Sequence, residues 1–323
     1  MSTSVRVDPI DPLMGRKCAF SGRIVTMDSA FRVIPKGTIY IDRGSIVAVN
    51  EAQASCPAEF EDVPVVKTGG TIYPGLIELH NHLEYNALCL WDVPKQYSNR
   101  DQWSGIPAYR KLISGPMQII GKSPELVPAL IRYVECKSLL GGVTTSHGIQ
   151  LFSNAGIRRF YRGIVRNVER NVEQTDEKDL PEADTRIADV EAKNASRFFE
   201  RLQKATCFLL HLSEGVDETA NKHFQSLRIA DEKWAINQQL AGIHCAGLKE
   251  KDFDILGKEK GAMIWSPMSN LLLFWRNCKD QSSKRGWGSN RDRFRLVAFG
   301  EQESFGRTQS SPVGQSSDGV CVQ

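Results

Sequence analysis

Between residues 15 and 72 the chain alternates short apolar, β-branched runs with turn residues. CAFSGRIVTMD (18–28), GTIYIDRGSIVAVNE (37–51) and VPVVKTGG (63–70) are broken by Gly, Asp and Asn, the punctuation of short strands. IDRGSIVAV predicts a hairpin with its tight turn at Arg43–Gly44. The texture changes at Thr71. TIYPGLIELHNH (71–82) predicts a buried strand ending in polar residues. SPELVPALIRYVECKSLLGG (123–142) predicts a helix, begun by Ser-Pro-Glu and stopped by Gly141–Gly142. VTTSHGI (143–149) reads as the next strand and GIRRFYRGIVRNVE (156–169) as helix-like.

The segment 173–204 is charged, with helical apolar spacing near its end. TCFLLHLSEG (206–215), AINQQLAGIHCAGL (235–248) and GAMIWSPMSNLLLF (261–274) supply further strand-like runs, with SPMSN as a strand-end loop or turn. Strands alternating with helices predict an α/β architecture with a parallel sheet and crossover helices. Chemistry-capable residues cluster at the strand C-termini, where barrel folds build their sites.

The 323 residues suffice for one large barrel with a small appendage or for two ordinary domains. A net charge of +3 demands neither nucleic acid nor an anionic membrane as partner. There is no apolar run of roughly 18 residues and no secretory h-region. The eight cysteines are scattered without a CxxC pair, which predicts reduced thiols and a cytoplasmic location. A small-molecule substrate is the expected partner, and a homo-oligomer is compatible with the composition.

Six histidines carry the candidate chemistry. His80 and His82 lie two apart at a strand end, so they share one face and can close on one metal ion. Read alone, the pair is as well explained by chance or structure. His211 ends a second strand with Glu214 three residues on, a ligand with a proton shuttle beside it, or equally a carboxylate favouring a helix start. His244 ends a third strand, where a lone histidine is more often a core residue. His147 sits at another strand end. His223 lies in a charged helical stretch and is expected at the surface. Together, four histidines at three strand ends favour one divalent ion, zinc or iron, in a catalytic site with an open position. Glu84, Tyr85 and Asn86 are candidates for the pocket mouth. Trp91, Trp103, His147 and Arg158 are candidate substrate contacts, each against a weightier structural reading.

TGGTIYPGLIELHNH resembles the first barrel strand of the amidohydrolase superfamily, with its Pro-Gly, two apolar residues, an acid and HxH. HLSE, GIHC and WSPMSNLLL are similar to later strand ends of the cytosine-deaminase-like and chlorohydrolase-like branch, so the resemblance spans about 15–274. It implies a (β/α)₈ TIM barrel (73–274) behind a small N-terminal β-sandwich (15–72), with 1–14 disordered. His80, His82 and His211 would bind the metal. Glu214 would carry a proton from the attacking water to the leaving nitrogen. His244 would orient that water or the oxyanion. By position rather than by resemblance, His147 at its strand end and Asn270 in SPMSN (266–270), a loop that touches substrate or equally a turn, are candidate substrate contacts. No lysine stands where a carbamate bridge would need one, which favours a mononuclear site. The implied activity is hydrolysis of a non-peptide carbon–nitrogen bond; the alternative is an inactive remnant or a small-molecule binding protein.

The family pattern also asks for an aspartate after the eighth strand, and no Gly-Ser-Asp-like strand end follows Asn270. From Trp275 the chain is rich in Ser, Gly, Arg and Gln and predicts a disordered tail (275–323). Back-translated and shifted by one nucleotide, the tail can be read as helix, strand, Gly-Ser-Asp and helix. The expectation is therefore a frameshift or misplaced intron boundary near Phe274, a barrel lacking its last strand, exposed sheet edges, and an impaired protein.

Overall fold

The structure, a computed structural model, describes residues 17–147, 164–168, 183–276 and the backbone of 295–297. The N-terminal region forms one four-stranded sheet in the order β3-β2-β1-β4, from β1 (Cys18–Val25), β2 (Val33–Asp42), β3 (Ser45–Glu51) and β4 (Val65–Ile72). The β2–β3 connection is the expected two-residue turn. Arg43 (φ 48°) and Gly44 (φ 79°) both have positive φ, the conformation that matches strand twist in a tight hairpin. Alternation along β1 and β2 places Ala19 and Tyr40 against Phe60, and Ile24, Ile34 and Ile39 in a second cluster. Among the described residues this region is a single sheet, without the second layer that a sandwich implies.

Among the described residues, eight parallel strands follow in chain order. β5 (Leu76–Glu78), β6 (Val143–Ser146) and β7 (Arg166–Asn167) form one sheet. β8 (Ala183–Arg186), β9 (Cys207–Leu212), β12 (Leu240–His244), β13 (Ala262–Ile264) and β14 (Arg295–Val297) form the second. A backbone bond from Ala183 N to Val168 O, 2.7 Å, links the two. A short hairpin, β10 (Arg228–Ala230) with β11 (Lys233–Trp234), sits outside both.

The helix at Leu126–Leu140 forms where expected, with Ser123 Oγ accepting from Leu126 N and Gly142 taking φ 80° just past its end. Four expectations are corrected. The expected disordered tail carries a short strand among the described residues: β14 pairs in parallel with β13, in eighth place among the described parallel strands. Arg-Leu-Val has no alternation to announce it; the open edge of β13 makes it a strand. The helix-like stretch 156–169 ends in strand β7 instead, its earlier part and Arg158 lying outside the described residues. SPMSNLLLF is neither strand nor loop: Pro267–Phe274 is a helix, with proline in its first turn where a missing N–H costs nothing. His223 is half-buried rather than at the surface, 3.1 Å from Asp189.

Candidate metal centre and active site

The longest strands of the second sheet are fully apolar until their last residues. Phe208, Leu209 and Leu210 precede His211, and Leu240, Ala241 and Ile243 precede His244; all are buried. Apolar burial fixes the register of β9 against β12, where Ile243 pairs with His211 and His244 with Leu212. The histidines are thus delivered to the C-terminal rim of the sheet. There the backbone turns sharply, with positive φ at Ser213 (52°), His244 (70°) and Cys245 (51°). Such strained conformations persist where surrounding structure enforces them.

His80 and His82 leave the end of β5 and meet His211 from β9. One ring nitrogen of each lies within 4.8 Å of the others. His80 Nε2 and His211 Nε2 are 3.2 Å apart. The far side of each ring is held: His80 Nδ1 lies 2.5 Å from Ser266 Oγ, and His211 Nδ1 lies 3.3 Å from the carbonyl oxygen of Arg186. A carbonyl only accepts, so His211 carries its proton on Nδ1 and offers a lone pair at Nε2. His82 Nδ1 is buried without a partner among the described residues. Lone pairs converging this closely in a buried place fit a cation. Three imidazoles with an open position fit a divalent ion of the zinc or iron kind.

Burial holds His80 and His211 well below the ordinary imidazole range, with the neighbouring histidines adding to the effect. His82 is lowered to about 3 by burial and then by His147, His244 and Arg100. All three are therefore neutral, the form that binds metal. Glu214 is buried, and desolvation raises it to about 7 against the opposing pull of Arg100. A carboxyl poised there can both take and give a proton near neutrality. His244 Nε2 lies 3.8 Å from Glu214 Oε2, and its Nδ1 lies 3.2 Å from Asn270 Oδ1. Burial lowers His244 to about 3, partly offset by that Asn270 bond.

These groups open onto a cavity of about 440 Å³. Tyr85, Asn86, Trp103 and Tyr109 line it, together with the metal-site histidines, Glu214 and His244. Trp103 and Tyr109 meet edge to face with ring centres 5.1 Å apart. Tyr109 precedes a π-helical turn, Arg110–Ser114, of a kind that re-aims side chains near sites. Burial pushes its phenol up to about 12.

The structure brings together five residues singled out from sequence: His80, His82, His211, Glu214 and His244. It places His147 beside them, ring centres 6.2 to 6.4 Å from the three candidate ligands, buried but outside the cavity lining. Asn270 reaches His244 and does not line the cavity. Glu84 is fully buried away from the mouth, and Trp91 packs against Tyr97, Trp103 and Tyr109. Sequence reasoning missed Arg100, and it placed Ser266 in a loop that could touch substrate rather than behind a metal ligand. Arg100 sits in a loop with no period to mark it, and Ser266 gives no sign of facing a residue 186 positions away.

No family model matches the chain, and no curated protein matches it in sequence. Solved structures do match. A triazine hydrolase variant superposes with a TM-score of 0.62 at 15% identity, over 88% of this chain and 72% of that one. E. coli guanine deaminase gives 0.60 at 18% identity, over 88% and 73%. A mutant of atrazine chlorohydrolase TrzN from Arthrobacter aurescens TC1, complexed with zinc and atraton, gives 0.59 at 15%, over 88% and 72%. At these identities the likeness is one of fold. The chain has the α/β fold of these hydrolases, as the resemblance in its strand ends implied.

Proposed function

We propose that the chain is a metal-dependent hydrolase of the amidohydrolase superfamily. It cleaves a non-peptide carbon–nitrogen bond of a small molecule with water, in a (β/α)₈ barrel with one zinc or iron. The observation that carries this reading is the convergence of His80, His82 and His211 on one point, with Glu214 and His244 facing the same cavity. The zinc of the TrzN complex accords with it.

Held by His80, His82 and His211, the ion would supply Lewis acidity that makes water a nucleophile near neutral pH. Glu214 takes the proton released as the C–O bond forms and returns it to the leaving nitrogen as the C–N bond breaks. His244, its Nδ1–H donated to Asn270 Oδ1, points its accepting Nε2 toward Glu214 and orients the attacking water. Trp103 and Tyr109 shield the reacting atoms from bulk water. His147 contributes from behind the ligands and Asn270 by positioning His244.

The test is metal content with turnover of a panel of amides and aminoheterocycles. His211→Ala is expected to lose the metal. Glu214→Gln is expected to keep it and lose about 10²- to 10⁴-fold in kcat. Full activity in either variant would defeat the assignment.

One observation favours a second reading, an inactive remnant or binding protein. The strand in eighth place reads Arg-Leu-Val and is followed by Ala-Phe-Gly-Glu, with no aspartate at its end. A chain that binds zinc but turns nothing over would support it. Sequencing the transcript across the codons for Phe274 and Trp275 tests the frameshift: a second frame encoding an aspartate strand is expected, and a single open frame without one would remove the idea.

A further inference from the structure

We propose that Arg100 is a substrate-recognition residue, and that it makes this pocket select a small molecule carrying a carboxylate or similarly compact anion. The word substrate rests on the hydrolase reading above; the preference for an anion rests on geometry.

Arg100 lines the same cavity as the three candidate ligands and Glu214, with its side chain 23% exposed. The main chain around it is fixed at several points. Asn99 accepts from Asp101 N at 3.0 Å and donates to Asp217 Oδ2 at 2.6 Å. Arg100 N donates to Glu214 O at 3.1 Å. Gly215 is needed for this seam: a Cβ on it would stand 2.6 Å from Asn99 Cα.

The guanidinium spends little of its capacity on the protein. One Nη1–H goes to the carbonyl oxygen of Ile187. Nε stands 3.7 Å from Glu214 Oε2, an ion pair too long for a hydrogen bond. A guanidinium has five N–H donors, and no further partner is present among the described residues. Arg100 is 23% exposed where it lines the cavity, so its remaining donors are open to a bound molecule. Trp103, another lining residue, holds its indole N–H buried without a partner among the described residues.

Charge points the same way. Among the described lining residues Arg100 is the one lysine or arginine and Glu214 the one carboxyl group. With a divalent ion at the histidines the cavity carries an excess of positive charge. Paired N–H donors on a planar cation match a carboxylate in two parallel hydrogen bonds. Trp103 and Tyr109 offer the apolar wall for the rest of the molecule.

The test begins with metal-free full-length protein, so that an anion cannot simply ligate the ion. Benzoate and neutral benzamide are titrated while tryptophan fluorescence is followed. Benzoate is expected to bind at least about tenfold more tightly. Arg100→Gln should weaken benzoate by about tenfold to a hundredfold and leave benzamide unchanged, with Arg100→Lys between. Equal binding of the two probes by the native chain, binding of neither, or full benzoate affinity in Arg100→Gln would overturn the proposal. Should Arg100→Gln fail to fold, the native comparison and Arg100→Lys decide. In a second arm, zinc-loaded protein is offered hippurate and its methyl ester. A preference for hippurate expressed in KM is expected; equal use of the ester would overturn the anion preference. Benzoate binding through Arg100 without zinc uptake or turnover would instead remove the hydrolase reading and leave the anion site standing.

Discussion

The sheet of β8, β9, β12, β13 and β14 and the sheet of β5, β6 and β7 both send groups to the same cavity, yet they bury their strands very differently. β9 and β12 are sealed by a continuous apolar cluster that includes Phe208, Leu210, Leu212, Leu240 and Met263. β5 is three residues long, with Leu76 61% and Ile77 55% exposed. His211, Glu214 and His244 therefore stand on a firm scaffold, while His80 and His82 stand on a weaker one. Of the three candidate ligands, only His211 is preorganised by this packing. His80 and His82 are expected to gain more order from what they bind.

Packing deletions should expose this contrast most strongly. Leu210→Ala is expected to cost about 2–5 kcal/mol, because it empties a fully buried place in the core. Leu76→Ala should fall within about 0.5 kcal/mol. Urea unfolding of the two variants measures the difference, and equal losses would break the comparison. Zinc comes next. At a free concentration 1,000-fold above its Kd it should stabilise the fold by about 4 kcal/mol. Hydrogen exchange should show the larger gain in protection in β5 and β6, and His82→Ala should abolish it. Equal gains in both sheets would mean that the ion does not order the weaker one.

Asp252 sharpens the point from the stronger side. Its buried carboxylate accepts from Asn221 Nδ2 at 2.6 Å, Gln225 Nε2 at 2.8 Å and Lys249 N at 2.8 Å. Asp252→Ala leaves those donors unmet and is expected to cost about 1–3 kcal/mol, read as a lower urea midpoint. The smallest effect belongs to Glu218, fully exposed beside Lys249 at 2.6 Å. The hydrogen bond to Lys249 holds its pKa below the ordinary 4.5. A depressed carboxyl contributes stability above its unfolded value and loses it as pH falls through the folded one. Glu218→Gln should thus lower Tm slightly at pH 7, and not at pH 2. Added salt should erase the pH 7 difference. A loss as large as that of Asp252→Ala would contradict its exposure.

Legibility followed the same divide. β9 and β12 were readable because buried parallel strands are long apolar runs. The helix Leu126–Leu140 was readable from its end signals. β7 and β8 were not, since Arg166–Asn167 and Ala183–Arg186 are polar pieces whose strand character comes from their neighbours. Of the site, HxH, His211 with Glu214, and His244 were visible as chemistry at strand ends. Arg100 was invisible, because a loop arginine looks the same whether it faces solvent or a cavity.

The sequence by itself determined which strands would be apolar and which residues would end them, because burial and side-chain alternation are local properties of the chain. Only the tertiary structure decided that the ends of β5, β9 and β12 share one cavity, that Ser266 and the carbonyl of Arg186 hold the ligand rings, and that Asn99 and Gly215 carry Arg100 to Glu214. Those relations join residues about 25 to 190 positions apart, and they exist only once the strands have paired.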